Sequence, residues 1–307
     1  MSADGRRITI VEVGPRDGLQ SEPEILSTDA KRRFVELAID AGLTRLEVAS
    51  FVHPKRVPQM ADAEALIATL PRRDGVSYIG LIMNQRGLER ALTTTIDEIG
   101  MVVVASDTYN RKNQGVSSSE SVSVWQSVSK MARAEGRRAN VMISSAFGCP
   151  YEGEVPVERV LELAERVLEA EPAELGIADS IGVAVPSQVT DMLGRLAELC
   201  DALPLRCHFH NTRNTGLANA QAALDAGVTY LDASIGGIGG CPFAPAATGN
   251  IPTDDLLYLL ERSGVDTGVS LDRVIAASRW LEQELGRGVP ALLPKAGGFP
   301  PGSTQAA

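Results

Sequence analysis

Two kinds of apolar pattern alternate along the chain. Short runs rich in Val, Ile and Leu are typical of buried strands, whereas longer segments with apolar residues at every third or fourth position are typical of helices that bury one face. The first pattern predicts strands at residues 8–13, 45–49, 78–83, 98–105, 140–146, 174–178, 205–209 and 230–235. The second predicts helices at residues 28–41, 58–70, 85–93, 120–135, 156–170, 186–199, 215–226, 254–263 and 271–285.

Each predicted strand is followed by a helix, and one further helix ends the series. This alternation predicts a parallel sheet, because parallel neighbours need a crossover that a helix supplies. Eight such units within 307 residues, with no change in composition between them, match an α/β fold of the closed (β/α)8 TIM-barrel type with an extra C-terminal helix. A doubly wound open sheet is the main alternative, but no glycine-rich dinucleotide fingerprint follows the first strand.

The chain is predicted to form a single catalytic domain over residues 1–287. The tail at residues 288–307 is rich in Pro, Gly and Ala, and we expect it to be extended or disordered. Its apolar residues at 289–293 could still dock on the barrel or on a partner subunit.

Composition narrows the possible partners. The formal net charge is -10 at pH 7, so we expect neither a nucleic acid nor an anionic membrane as partner. An anionic substrate would need a local positive site, made by a metal or by arginines. The 4 cysteines lack metal-site or disulfide-framework spacing, and no apolar run is long enough for a signal core or a membrane span. We therefore predict a cytoplasmic protein.

The first chemical signal is the pair His208 and His210, two of the 3 histidines in the chain. They end the seventh predicted strand, and residues two apart on a strand point to the same side. Two imidazoles in this arrangement can bind a divalent cation. The pair alone is equally compatible with two histidines that hold no ligand.

Other polar residues also fall at strand ends, where the catalytic residues of such barrels lie. Arg16 and Asp17 are adjacent between two glycines after the first strand. Glu47 lies among apolar neighbours on the second strand, and an arginine across the barrel mouth would offset the cost of burying it. Asp179 ends the sixth strand. His53 follows the second strand and could face either the substrate or solvent.

Four glycines follow the eighth strand and precede Cys241 and Pro242, which predicts a mobile loop over the catalytic face. A lone cysteine is usually a small buried hydrophobe, but this position favours a reactive thiol. The other three cysteines are predicted to be buried or peripheral.

Four of these side chains form a possible ligand set from the first, seventh and eighth strands, which are neighbours in a closed barrel. The set is Asp17, His208, His210 and Asn250. One carboxylate, two imidazoles and one amide oxygen favour Mg²⁺ or Mn²⁺, with Zn²⁺ as an alternative. Two open positions would then chelate a substrate with adjacent oxygens.

The sequence resembles the 3-hydroxy-3-methylglutaryl-CoA (HMG-CoA) lyases of the metal-dependent Asp-Arg-Glu barrel superfamily. The resemblance rests on VEVGPRDGLQ at residues 11–20, SFV at 50–52 with VPQM at 57–60, GCPYEG at 148–153 and GGCPFA at 239–244. It extends from about residue 7 to residue 285.

The resemblance implies a role for each matching residue. The four residues of the possible ligand set become the metal ligands. Arg16 becomes the arginine that stabilises an enolate, Glu47 its acidic partner and Cys241 a thiol that takes part in proton transfer. Supporting or substrate-binding positions are Gln20, His53, Asp179, Asn211 and Arg213. The resemblance also implies an acyl-CoA substrate and a homodimer.

The implied reaction is the retro-Claisen cleavage of a 3-hydroxyacyl-CoA, with Asp17 or His208 nearest to act as the base. For HMG-CoA the products would be acetoacetate and acetyl-CoA. The family usually has Asp-Thr-Tyr-Gly after the second histidine, whereas this chain has Asn-Thr-Arg-Asn at residues 211–214. This departure favours a related branched or larger substrate as the alternative. A condensing synthase and a non-enzymatic metal-binding barrel are further alternatives, disfavoured by the Gly-Gly-Cys-Pro loop and by the shared face of Arg16, Glu47 and Cys241.

Overall fold

A computed structural model describes residues 7–240 and 249–299. Its centre is a closed barrel of eight parallel strands, which confirms the predicted fold class. The barrel strands are β1 (Thr9–Glu12), β2 (Arg45–Ser50), β3 (Ser77–Ile82), β4 (Glu98–Val104), β5 (Arg138–Ser144), β8 (Glu174–Asp179), β9 (Leu205–Phe209) and β10 (Tyr230–Ala233). The order around the barrel is β1-β10-β9-β8-β5-β4-β3-β2, so β1 pairs with both β2 and β10.

Helices surround the barrel. They are α1 (Thr28–Asp40), α2 (Ala63–Thr69), α3 (Gln85–Leu92), α4 (Asp107–Gln114), α5 (Ser118–Ala134), α6 (Val157–Leu168), α7 (Pro186–Cys200), α8 (Gly216–Asp225), α9 (Thr253–Arg262), α10 (Leu271–Leu285) and α11 (Leu293–Ala296). No helix in the described ranges combines the length and apolar character that a membrane crossing requires.

The period of two along each strand separates the outer core from the barrel interior. On β9, Cys207 and Phe209 belong to the main apolar core shared with the helices. The intervening Arg206 and His208 face the interior cavity. The same division places the functional side chains of several strands inside one barrel.

Several short elements, α11 among them, were not predicted. Helix α4 is short and polar, and it is capped by Ser106, whose hydroxyl accepts a hydrogen bond from Tyr109 N. A two-stranded hairpin joins β6 (Gly148–Cys149) to β7 (Gly153–Glu154). The predicted helix at 58–70 is instead a 3-10 turn, Pro58–Met60, followed by α2. These segments lack the long apolar periodicity that a sequence pattern can detect.

The C-terminal segment docks on the barrel. Helix α10 packs on α1, with the rings of Phe34 and Trp280 stacked at 6.0 Å. Beyond it, Val289 and Ala291 are buried, and both Oδ atoms of Asp255 accept hydrogen bonds from the backbone after them. The docking of 289–293 is therefore observed, and these residues are not disordered. The boundary of the catalytic domain at residue 287 stays a prediction, and residues 300–307 lie outside the described ranges.

Candidate metal centre and active site

The ligand atoms of Asp17, His208 and His210 lie within 4.8 Å of one another at the carboxyl ends of β1 and β9. Three protein groups at this spacing can share one cation. The backbone brings a fourth predicted ligand to them, because Asn250 forms an antiparallel bridge with His210 and Ile251 N donates to Phe209 O at 3.1 Å. The four predicted ligands are therefore brought together.

A tight turn presents Arg16 and Asp17. Residues Gly14–Gly18 form one π-helical turn, in which Asp17 N and Gly18 N both donate to Val13 O, at 2.7 and 3.2 Å. Such single turns often occur at functional sites. The turn directs both charged side chains into the mouth of the barrel, where Arg16 Nη1 donates to Asp17 Oδ1 at 2.7 Å.

Asp232 on β10 orients His208. Its Oδ2 lies 3.0 Å from His208 Nδ1, which leaves Nε2 of the imidazole for a metal. Burial lowers the pKa of His208, but the hydrogen bond and charge of Asp232 outweigh burial and hold that pKa above its ordinary value. A carboxylate behind a histidine in this way is typical of metal sites.

Two buried polar atoms at the centre have no hydrogen-bond partner among the described residues. They are His210 Nδ1 and Asn250 Oδ1. Burial, with His208 nearby, lowers the pKa of His210 to about 3, which keeps the imidazole neutral as a ligand must be. Asn250 Nδ2 donates to Asp17 Oδ2 at 2.9 Å and to Ile238 O at 3.1 Å, so the amide nitrogen faces the carboxylate. Its predicted role as an oxygen ligand requires the amide to turn over.

The formal charge of the surrounding ion-pair network also fits a divalent cation. Three buried arginines face five carboxylates in this network, each with at most 19% of its side chain exposed. These buried groups carry a formal charge of about -2 when the histidines are neutral, and the exposed Arg138 also lies 3.9 Å from Glu98. The members are Arg16, Arg45, Arg206, Asp17, Glu47, Glu98, Glu174 and Asp232. Unpaired buried charge is costly, and a bound divalent cation would neutralise it. The mixed carboxylate and imidazole donors suit such an ion.

Glu47 is paired as expected for a buried carboxylate. Its Oε1 accepts from Arg16 Nε at 2.8 Å. Nε and Nη1 of Arg16 are thus engaged with two carboxylates, whereas no described residue accepts a hydrogen bond from Nη2. The Arg16 side chain, which carries Nη2, lines the cavity.

Some of the predicted supporting residues line the cavity, and the others lie outside it. Gln20 and His53 line the cavity, and His53 is exposed. Asp179 does not line the cavity, and its two carboxylate oxygens accept from Val183 N and Ala184 N at 3.0 and 2.9 Å. These bonds hold the loop after β8.

Asn211 and Arg213 do not line the cavity. Asn211 Oδ1 accepts from Gly216 N at 3.1 Å, at the start of α8. Arg213 Nη1 donates to the carbonyls of Ile181 and Gly182, at 2.9 and 3.0 Å. Both residues support loops, so neither is placed to contact a substrate in this cavity. The departure from the family pattern therefore lies away from the cavity.

The glycine loop before Cys241 makes several contacts in its described part. Gly236 N donates to Asp254 Oδ2 at 2.8 Å, and Gly240 O accepts from Ser21 Oγ at 2.7 Å. Gly239 has a φ of +104°, and a Cβ there would lie 2.8 Å from Gly18 Cα. Hydrogen bonds and close packing thus hold residues 236–240 in the described conformation, and the mobility expected of the loop stays a prediction. Cys241 itself lies outside the described residues.

The centre lies in a cavity of about 1320 Å³ that opens at the rim of the barrel. Cavities for drug-sized ligands are commonly about 300–1000 Å³, so this one can take a longer molecule. Its outer wall includes four exposed cations, none of which forms an ion pair with a residue in the described part of the chain. They are Arg56, Arg86, Arg111 and Lys112. In a chain with a net charge of -10, they supply the local positive surface that an anionic substrate requires.

Two residues of the site, Asp232 and Arg206, were not predicted from the sequence. The Nε atom of Arg206 donates to Asp232 Oδ1. Both lie on predicted strands and face the barrel interior. Arg206 is two residues before His208 on β9, and Asp232 is two residues after the start of β10. The reasoning that singled out Glu47, a charge among apolar strand neighbours, applies equally to them.

The fold and this site define a (β/α)8-barrel enzyme with a candidate metal centre at the carboxyl ends of its strands. The family model described as HMGL-like matches residues 7–281, and the chain belongs to this family. The resemblance drawn from the motifs is thus confirmed.

Curated relatives include two lyases of nearly equal similarity. Hydroxymethylglutaryl-CoA lyase YngG of Bacillus subtilis is 42% identical over 286 residues, which cover 93% of this chain and 96% of that protein. The (R)-citramalyl-CoA lyase of Chloroflexus aurantiacus is 41% identical over 300 residues, with 94% and 95% coverage. The structure of an HMG-CoA lyase from Acinetobacter baumannii in complex with coenzyme A and 3-methylmalate is similar with a TM-score of 0.94, at 36% identity and with 98% of each chain covered. The chain is accordingly a carbon–carbon lyase, of a family that depends on divalent metal.

Proposed function

We propose that the protein cleaves a 3-hydroxyacyl-CoA by a metal-dependent retro-Claisen reaction, and that HMG-CoA is its substrate. The observation that carries the proposal is the grouping of Asp17, His208 and His210 beside Arg16, within one cavity whose rim is positively charged. Coenzyme A carries phosphates, and the rim cations are suited to bind them. The inner end of the cavity then receives the acyl group.

Asp17, His208, His210 and Asn250 would hold Mg²⁺ or Mn²⁺, and Zn²⁺ is the alternative ion. When bound, the cation supplies Lewis-acid activation of the tertiary hydroxyl. Asp17 and His208 are the two candidates for the base that accepts the hydroxyl proton. With Nδ1 of His208 on Asp232 and Nε2 on the metal, only Asp17 would keep a free lone pair for that proton. Burial raises the pKa of Asp17, but Arg16 and the two imidazoles outweigh burial and hold that pKa below its ordinary value.

Arg16 stabilises the enolate that forms when the bond between carbons 2 and 3 breaks. Glu47 holds its guanidinium by Nε, so that Nη2 can donate to the developing oxyanion. Cys241 delivers a proton to the enolate carbon. Its place after Gly240 supports this role, because Gly240 is itself part of the cavity wall.

Citramalyl-CoA is the second candidate substrate, since the citramalyl-CoA lyase is 41% identical to the chain. Its acyl group also carries a tertiary hydroxyl at carbon 3, with a carboxylate one carbon nearer than in HMG-CoA. Asn211 and Arg213 no longer argue for this alternative, because they lie outside the cavity.

The purified protein should be incubated with each acyl-CoA, after treatment with EDTA and again after addition of Mg²⁺ or Mn²⁺. Cleavage of HMG-CoA yields acetoacetate, whereas cleavage of citramalyl-CoA yields pyruvate, and both yield acetyl-CoA. We expect metal-dependent acetoacetate formation with the higher kcat/KM. If pyruvate formed with the higher kcat/KM, citramalyl-CoA would replace HMG-CoA as the proposed substrate. Activity of the metal-free protein would contradict the mechanism.

We also propose that the protein forms a dimer and is located in the cytoplasm. The dimer rests on the family resemblance, and sedimentation of the purified protein tests it. The cytoplasmic location is supported by Cys149, Cys200 and Cys207, which are free and buried. Fractionation of the source cells tests the location.

A further inference from the structure

The interior of the barrel is charged, where branched apolar side chains are usual. Arg45 at the start of β2 forms bidentate contacts with Glu98 and Glu174, from 2.5 to 3.1 Å. One strand period closer to the metal centre lie Glu47, Arg206 and Asp232. A stability argument alone does not explain such a network, because buried ion pairs are often no better than apolar residues of the same volume.

Arg206 occupies the branching point of this network. Its three nitrogens each face a different carboxylate: Nε donates to Asp232, Nη1 lies 3.6 Å from Glu174 Oε1, and Nη2 lies 3.8 Å from Glu47 Oε2. The side chain is 6% exposed, so water does not replace these contacts.

The three carboxylates depend on Arg206 to different degrees. Glu174 also pairs with Arg45, and Glu47 also pairs with Arg16. Asp232 has no other arginine or lysine partner in the described ranges, and its second oxygen is the one that contacts His208 Nδ1. Loss of Arg206 therefore releases Asp232 first, and with it the orientation of the imidazole.

We propose that Arg206 is a positioning residue of the reaction, which fixes Asp232 and through it the metal-binding face of His208. The inference rests on the proposed function, and it assigns to this arginine a task beyond neutralising buried carboxylates. Arg206 itself touches none of the reacting atoms in this role. A planar guanidinium suits it, because a lysine ammonium cannot face three carboxylates along fixed edges.

Arg45 provides a matched control. It is an arginine of the same network with the same 6% exposure, but its partners are Glu98 and Glu174 rather than carboxylates of the metal centre. Arg206→Gln and Arg45→Gln should therefore lower the melting temperature to a similar extent. Only Arg206→Gln should weaken Mn²⁺ binding, by up to about 10–100-fold, the loss expected when the partner of a metal-binding histidine, here Asp232, no longer orients it.

The test measures free Mn²⁺ by electron paramagnetic resonance in titrations of the substrate-free protein. It also measures kcat and KM for HMG-CoA at saturating Mn²⁺. Arg206→Gln is expected to lower kcat with KM changed less than about threefold, and Arg206→Lys to lie between it and the wild type. Equal losses of Mn²⁺ affinity in Arg206→Gln and Arg45→Gln would overturn the proposal, since both would then act through the fold alone.

A double-mutant cycle with Asp232→Asn decides whether Arg206 acts through Asp232. The Mn²⁺ affinity of the double variant should equal that of Asp232→Asn alone, whereas additive losses would overturn the proposal. Arg206→Lys replaces Arg206→Gln in the cycle if the glutamine variant does not fold. Because Mn²⁺ binding needs no substrate, failure of the wild type to cleave any acyl-CoA would refute the proposed function while leaving this result readable.

Discussion

Replacement of Arg16 by glutamine tests the proposed origin of catalysis. In the folded protein, Nε and Nη1 of Arg16 are held by Glu47 and Asp17, so the side chain is oriented before substrate binds. Glutamine retains a hydrogen-bond donor but lacks the charge that an enolate requires in the transition state. Loss of one preorganised oxyanion donor costs about 10²–10³-fold in kcat, or about 2.7–4 kcal/mol, and the low exposure of Arg16 places it in that range.

The expected result is a loss in kcat with little change in KM, because the charge is needed more in the transition state than in the ground state. Steady-state cleavage of HMG-CoA, followed by acetyl-CoA release, provides the measurement. Arg86→Gln is the matched control at the cavity rim, where loss of a phosphate partner should raise KM and leave kcat intact. Metal content, measured by atomic absorption, should be unchanged in both variants.

A variant at position 16 that lost only substrate affinity, with kcat preserved, would refute the assignment. So would a loss of metal in proportion to the loss of activity. Arg16 also neutralises Asp17, and its removal could act on the metal instead of on the enolate. The metal measurement separates these two explanations.

Three further outcomes are expected. Cys241→Ser should lower turnover without changing metal content, and iodoacetamide should label Cys241 first, as peptide mass spectrometry can show, because the other cysteines are buried. Burial raises the pKa of Glu12 from 4.5 to about 8, so its stabilising contribution is complete below pH 4.5 and declines as pH rises towards 8. Urea unfolding of Glu12→Gln should therefore show a flatter dependence on pH than the wild type in that window, and parallel curves would contradict the shift. Gly239→Ala should cost about 1–3 kcal/mol in the same assay and weaken Mn²⁺ binding, because φ is +104° and the new Cβ would lie 2.7 Å from Asn250 Nδ2; full stability would contradict this.

The chain is almost equally similar to two lyases that are named for different substrates. Overall similarity therefore does not indicate the substrate, which depends on the residues and shape of the cavity. Both candidate substrates present a tertiary hydroxyl and a carboxylate, which the same metal centre can bind. They differ by one carbon between these groups. A single methylene in a pocket is worth only about 1–3 kcal/mol of discrimination, so the measured kcat/KM ratio is the informative quantity.

Local spacing alone predicted much of the fold and part of the site. The apolar periods located all eight barrel strands, since each strand buries its outer side against helices. The pair His208 and His210 could be assigned to one side of a strand, because the two-residue period is a property of the backbone. Arg16 and Asp17 lie in the turn that follows β1, so the barrel rule placed them at the catalytic face.

Tertiary structure alone decided which side chains meet. Asp232 is 24 residues from His208 along the chain, and only the pairing of β9 with β10 brings them to 3.0 Å. Arg213 follows His208 and His210 closely, yet it turns away to the carbonyls of the loop after β8. The physical reason is that sequence period specifies a face, whereas contact across a barrel depends on strand order, register and loop path, which are set by packing of the whole chain.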